Sequence, residues 1–206
     1  MYKAFFKRII DFAAALILLF IFLPFFILIA LVIKFDSKGP VFFRQFRGGR
    51  GGKYFTMLKF RSMAQNENAE KKGFEPGSLA RVTRSGKILR KTKLDELPQL
   101  LNVLKGDMSL VGPRPEVKPY IELYPEKWTE ILSVRPGITD PASIKFRNEE
   151  EILARSGNPE KEYRDTVLPL KLAIYKNYVD SISFSADAKI LFLTIFAVIL
   201  NRNTAS

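Results

Sequence analysis

Cysteine and histidine are both missing from this 206-residue chain. Their absence removes disulfides, thiolate nucleophiles, imidazole bases and the usual zinc ligands. Any chemistry must run on carboxylates, Lys, Arg, Tyr or hydroxyls. Acidic charge is scarce as well: 21 Asp and Glu face 33 Lys and Arg, a formal net charge of +12. So basic a balance favours partners that carry phosphate, among them anionic lipid headgroups, nucleic acid and nucleotide sugars. The length suits one compact catalytic domain with a membrane element and leaves little room for a second full domain. No internal repeat is visible.

What the chain does have is a long apolar run. Phe12 to Ile33 comprises 22 residues without a charge, between Asp11 and Lys34. As a helix it measures roughly 33 Å, enough to cross a bilayer. The run is too long for a cleavable signal peptide and no small-residue cleavage site follows it, so it is expected to stay in the mature protein. Both flanks are basic: Lys3, Lys7 and Arg8 precede it, and residues 34 to 61 hold eight basic side chains against Asp36 alone. Two basic flanks favour entering and leaving the membrane by one face. Pro24 lies mid-run, where it removes a backbone donor and its ring crowds the Phe20 carbonyl, so a sharp bend is expected. Two topologies stand: a helix-break-helix hairpin, or one kinked spanning helix. Ile190 to Leu200 is apolar but too short to span and reads as an interfacial or core helix. The preceding Ser181 to Ser185 alternates polar and apolar, as a short strand or an extended approach would.

Between these segments, Asp36 to Pro40 is a turn signal. VFFRQFR and KYFTMLKFR then read as two strands joined by Gly48 to Gly52, a β-hairpin. The glycines lack P-loop spacing, which favours a turn over a phosphate cradle. Gln65 to Leu79 reads as a loop or lid. Ser85 to Lys91 is helical in pattern, and Leu94, Leu97, Leu100, Leu101 and Leu104 recur at helical spacing before Gly106, a C-terminal cap. That spacing puts Asp95 and Glu96 in the first turn of a helix, where Pro98 is tolerated. GDMSLVGPRPE and Val134 to Pro141 are turn-rich segments, and Glu149 to Ala154 and Pro159 to Tyr178 read as helices.

An acidic pair at a helix start is commonly a cap that complements the helix dipole. The neighbourhood argues for more. Arg84, Lys87, Arg90, Lys91 and Lys93 precede the pair and Arg114 follows it. These cations could simply solvate a helix face or bind lipid headgroups, yet a basic setting around two acids also suits phosphoryl chemistry. Attack on a nucleotide diphosphate needs its charge neutralised, commonly by Mg²⁺ with Arg or Lys. A carboxylate is ionised near neutral pH and attacks without a base, so the missing His is no obstacle. Carboxylate oxygen also binds Mg²⁺, through Asp95 or Glu96.

At these residues the chain resembles the small monotopic phosphoglycosyl transferases of the bacterial sugar transferase family. The matching strings are DSKGPVFFRQFRGGRGG, FTMLKFRSM, RVTRSGKILRKTKLDELPQLLNVLKGDMSLVGPRPE and VRPGITDPASI, in family order from Asp36 to Ile144. The resemblance implies that Asp95 attacks the β-phosphate of a UDP-sugar, releases UMP and holds a covalent sugar phosphate that undecaprenyl phosphate then takes. Glu96 would assist Mg²⁺ binding or position the acceptor, and Arg114 would bind phosphate. Arg90, Lys59 and Arg61 are further phosphate candidates, with plain surface charge as the alternative.

The resemblance also implies a mainly α fold with a small β-hairpin. A re-entrant membrane hairpin breaking at Pro24 (1–36) would lead into a catalytic domain on the cytoplasmic face of the bacterial inner membrane (37–189). An interfacial helix and tail (190–206) would close the chain. Leu23 departs from the family, which usually has Ser before the hairpin proline, so a hydroxyl able to satisfy freed backbone is missing. The short chain looks most like members that transfer phospho-N,N'-diacetylbacillosamine, or a related N-acetylated amino sugar, to open protein glycosylation. Membrane lipids are expected partners and nucleic acid is not. Two other readings compete: a non-catalytic basic module on the membrane surface, and a hydrolase using the same acidic pair with water as acceptor.

Overall fold

The computed structural model describes residues 2–64 and 81–200, so Gln65 to Leu79 lies outside the described residues. The chain begins with a π-helical turn, Tyr2–Phe6, and continues into α1, Lys7–Asp36. The buried residues of α1 are Lys7, Asp11 and Ala15 near its start and Ile29 and Ile33 near its end. Each set is spaced by four and so lies on one face. Between them Phe20 is 79% exposed and Leu23 50%. The expected division into two helices at Pro24 does not occur, because α1 runs through the proline as one helix. One missing donor is tolerable where the neighbouring turns stay bonded.

Both ends of α1 nonetheless dock on one body. Near its start, Arg8 donates to the carbonyls of Val103 (2.6 Å) and Leu104 (3.0 Å), and Asp11 accepts from Ser109 Oγ at 2.5 Å and Leu110 N at 3.2 Å. Near its end, Ile29 and Ile33 pack with Phe60 and Leu89, and Arg61 Nη2 donates to Ser37 O at 2.6 Å.

The expected hairpin is present. β1, Phe42–Gly48, pairs antiparallel with β2, Tyr54–Phe60, with Phe42 opposite Phe60. Its tip holds Gly51 and Gly52 at φ +68° and +76°, a region open to glycine without steric penalty. Next come α2, Arg84–Thr92, capped by Thr83, and α3, Gln99–Lys105, closed by Gly106 as expected.

The two turn-rich segments conceal a second sheet. β3, Ser109–Val111, runs parallel to β4, Gly137–Thr139. Strands of three residues bordered by Gly and Pro carry too little alternation to be read from sequence. Two helices also escaped that reading, α4 (Lys118–Leu123) and α5 (Pro125–Ile131). The remainder is α6 (Pro141–Lys145), α7 (Glu149–Arg155), α8 (Pro159–Glu162), a π turn and α9 (Leu168–Asp180). Trp128, Ile131, Leu168, Leu172 and Tyr175 form the core between them.

α10, Phe184–Leu200, begins well before the expected Ile190. Ser183 Oγ accepts from Ala186 N at 3.2 Å at its start, so Ser181 to Ser185 is a bend, a cap and the first residues of α10 and not a strand.

Candidate active site

Asp95 and Glu96 lie on a separate 3₁₀ turn, Leu94–Glu96, rather than in the first turn of one long helix. Lys93 causes the interruption. It ends α2 in the left-handed conformation at φ +59°, the one non-glycine with positive φ among the described residues. Such a backbone is strained by about 1 kcal/mol or more and persists only where its surroundings hold it. Here Leu94 and Leu97, on either side of the pair, pack against the cluster of Ile29, Ile33, Phe60 and Leu89. The acidic pair is thereby fixed against the far end of α1.

Strand geometry supplies the first cation. Phe55, Met57 and Lys59 share one face of β2, and the first two are core residues. Lys59 therefore also points inward, and its Nζ reaches Glu96 Oε1 at 2.8 Å. Asn102, wholly buried, holds the strand in place, donating from Nδ2 to Thr56 O at 2.8 Å and accepting at Oδ1 from Leu58 N at 3.0 Å.

The second cation is Arg114, whose Nη2 donates to the same Glu96 oxygen at 2.5 Å. Arg114 follows β3, and the β3–β4 pair brings it beside Asp140. This pairing is very close: a Cβ on Gly137 would lie 2.1 Å from Gly112 N. Glu116 anchors the other side of the PRP segment, accepting from Arg47 Nη1 and from its neighbour Val117 N, both at 2.8 Å.

The two acids have opposite electrostatics. Burial pushes the Glu96 carboxyl up, but Arg114 and Lys59 outweigh it and hold Glu96 well below the usual carboxylate range. Burial also raises Asp95, and there it prevails with help from the Glu96 charge, although Lys59, Lys93 and Arg90 pull down. Asp95 Oδ1 is buried and has no hydrogen-bond partner among the described residues. Glu96 is thus a fixed anion in a cage of cations, whereas Asp95 is a poorly solvated carboxylate with an open coordination position.

Of the residues expected from sequence, the structure unites Asp95, Glu96, Lys59 and Arg114, with Arg90 acting on Asp95 through its charge. Arg61 is elsewhere. Its Nη2 bonds Ser37 O and Oγ, tying β2 to the end of α1, and the acid acting on its charge is Asp36. Alternation would put Arg61 on the face of Lys59, but β2 ends at Phe60, and the chain beyond it turns toward Ser37.

Asp140 and Asn102 were missed, and Lys93 was read only as one of the basic neighbours, not as the left-handed residue that separates the pair from α2. Asp140 is wholly buried, caps α6 by accepting from Ser143 N at 2.8 Å, and raises the already high pKa of Arg114. Its only sequence signal was its place before Pro141, which reads as a helix cap. Asn102 gave none.

A Mg²⁺ ion fits Asp95, whose orphaned buried oxygen is a hard anionic donor without a partner. Glu96 fits less well, since one of its oxygens already receives two cations. Among the described residues no three acidic side chains converge as a metal cage. Any such ion would depend on substrate oxygens for much of its coordination, as is common for Mg²⁺ at phosphates.

The chain belongs to the bacterial sugar transferase family, whose model matches residues 2–201. It is similar over 95% of its length, at 41% identity, to the uncharacterized sugar transferase EpsL of Bacillus subtilis, covering 88% of that protein. Over 96% of its length it is 38% identical to the UDP-glucose:undecaprenyl-phosphate glucose-1-phosphate transferase of Caulobacter vibrioides, covering 71% of it. A UDP-N-acetylgalactosamine-undecaprenyl-phosphate N-acetylgalactosaminephosphotransferase of Aeromonas hydrophila is 44% identical over 68% of the chain, which spans 34% of that longer protein. By class the chain is a transferase, a bacterial phosphoglycosyl transferase.

Proposed function

We propose that this protein transfers a sugar 1-phosphate from a UDP-sugar to undecaprenyl phosphate by way of a covalent phospho-sugar on Asp95. The observation that carries this reading is the buried, unpartnered Asp95 Oδ1 beside a Glu96 already neutralised by Lys59 and Arg114. An unsolvated carboxylate is a stronger nucleophile than one held by donors.

In the first step an Asp95 oxygen bonds to the β-phosphorus of the donor, the bond from that phosphorus to the bridging oxygen breaks, and UMP leaves with the electron pair. In the second, a phosphate oxygen of undecaprenyl phosphate bonds to the same phosphorus and Asp95 leaves as the free carboxylate. Charges balance in each step and no proton transfer is required. Arg114 and Lys59 stabilise the phosphate oxygens as negative charge shifts. Mg²⁺ held at Asp95 would supply further neutralisation of the pyrophosphate.

The acceptor is a lipid, so the site must lie at a bilayer surface. Two observations support α1 as a re-entrant element, and its two basic flanks support the cytoplasmic face. Both its ends dock on one body, and its middle is exposed and apolar. A helix whose ends belong to opposite sides of a membrane cannot do this. Named relatives act on UDP-glucose and UDP-N-acetylgalactosamine. The family resemblance supports adding an N-acetylated amino sugar such as UDP-N,N'-diacetylbacillosamine to these candidate donors, with protein glycosylation as the pathway it would serve.

The test is UMP release from a panel of these donors, with and without undecaprenyl phosphate. At most one equivalent of UMP per enzyme is expected without acceptor, and multiple turnover with it. Full turnover without acceptor would make the protein a hydrolase. No release with any donor, together with salt-sensitive lipid binding indifferent to Asp95→Asn, would make it a binding module.

A further inference from the structure

A second basic site lies at the other end of α3. Asp95 precedes that helix; on the order of 15 Å along the chain axis from it, α3 ends at Gly106. There a cavity of about 340 Å³ opens between the first turns of α1, the tip of the β1–β2 hairpin and the segment leading into β4. Lys3, Lys7, Arg8, Arg50 and Arg135 border it, with Asp11 the one acid in its lining.

These charges are unequally committed. Lys7 is paired with Asp187 at 2.5 Å, and Arg8 is spent on the last carbonyls of α3. Asp11 is taken by Ser109 and Leu110. The attraction of a helix C-terminus for cations explains Arg8, and also Arg135 Nε, which donates to Gly106 O at 2.8 Å. It does not explain the remainder. The two terminal nitrogens of Arg135 make no hydrogen bond among the described residues, and neither does the side chain of Arg50. Lys3 has one bond, to Val179 O at 3.0 Å.

The cations also repel one another. Burial pushes the Arg135 guanidinium down, and Arg8 and Arg50 push it further. An anion in the cavity would relieve this repulsion and use the idle donors. Its surroundings indicate the source: Phe5 is 62% exposed and Ile9 50%, apolar side chains interleaved with Lys3, Lys7 and Arg8. Apolar residues in the acyl region beside cations at headgroup level are the arrangement of an interfacial anchor.

We propose that this cavity binds a phosphate group carried by an anionic lipid headgroup, at a site separate from the catalytic carboxylate. The lipid source rests on the reading of α1 as a bilayer element; the Asp95 chemistry plays no part in it.

The test uses the full chain in nanodiscs of zwitterionic phosphatidylcholine containing a few spin-labelled probe lipids. Electron spin resonance measures the fraction of probe held immobile at the protein. Labelled phosphatidylglycerol is expected to be held about fivefold or more in preference to labelled phosphatidylcholine. Lys3→Gln with Arg50→Gln should lower that preference at least about fivefold, and Arg50→Gln alone, at an exposed side chain, should give part of the effect. Lys118→Gln with Lys127→Gln removes equal charge at exposed positions elsewhere and should change nothing. Equal retention of the two lipids with no binding of inorganic phosphate, or the same loss in the control pair, would overturn the site. Saturable binding of inorganic phosphate that is lost in Lys3→Gln with Arg50→Gln, together with equal retention of the two labelled lipids, would overturn the lipid source and leave a free-phosphate site.

Discussion

Asp95 and Glu96 are adjacent in sequence and opposite in circumstance. One oxygen of Glu96 takes both Lys59 at 2.8 Å and Arg114 at 2.5 Å, while Asp95 Oδ1 is buried with no partner among the described residues. The division of labour in the proposed reaction follows from this contrast. Glu96 orders the cations and Asp95 makes the bond.

Removing one cation should therefore injure both fold and chemistry. Lys59→Met leaves Glu96 with Arg114 alone, and is expected to lower stability by about 2 kcal/mol and turnover on the order of 100-fold. Adding Glu96→Gln to that variant should restore much of the stability and none of the activity. Thermal melting and UMP release separate the two effects. Equal recovery of both would mean that Glu96 is structural only.

For topology, the proposed re-entrant reading of α1 expects Lys3 and Lys38 to share a side. Lys3→Cys and Lys38→Cys, made separately in a chain without native cysteine, should react with an impermeant thiol reagent in inverted vesicles and stay protected in intact cells. Labelling on opposite sides would reject the re-entrant arrangement.

Close packing of α2 sets a third expectation. A Cβ on Gly86 would lie 2.0 Å from the Ser62 carbonyl oxygen, a backbone atom with little freedom to move. Gly86→Ala should cost about 1–3 kcal/mol despite the better helix propensity of alanine. A melting temperature equal to or above that of the parent would show that the backbone can give way.

Asp36 gives a pH effect of defined sign. Its Oδ2 accepts from Ser85 N at 3.0 Å and Ser85 Oγ at 2.7 Å, and these bonds hold its pKa below the usual carboxylate value. A lowered folded-state pKa means stability that is fully present above about pH 4 and lost as pH falls through the folded value. The stability difference between the parent and Asp36→Asn should thus be constant near neutrality and shrink on acidification below pH 4. A difference that grows in acid would contradict the contact.

The parts of the site legible in sequence were those with strong local chemistry. The acidic pair, the PRP arginine, the hairpin glycines and the Gly106 cap all carry side-chain or backbone requirements that show within a few residues. What escaped depends on distant partners. Lys93 adopts a left-handed turn because Leu94 and Leu97 are held by Ile29 and Ile33, some sixty residues earlier in the chain. β3 and β4 are visible only once paired, Asn102 bonds a strand more than forty residues away, and Arg61 was separable from Lys59 only when the chain leaving β2 was seen to turn toward Ser37. The uninterrupted helix through Pro24 shows the same limit, because a proline states a lost donor but not how neighbouring turns absorb the loss.

The most direct measurement is the mass of the protein itself after exposure to a UDP-sugar and Mg²⁺ without lipid acceptor, followed by peptide mapping under mild acid. The parent should gain the mass of one sugar phosphate on the peptide that contains Asp95, lose it on addition of undecaprenyl phosphate, and gain nothing as Asp95→Asn. An unmodified parent that still turns over in the complete assay, or the same added mass in Asp95→Asn, would contradict a covalent bond at this carboxylate.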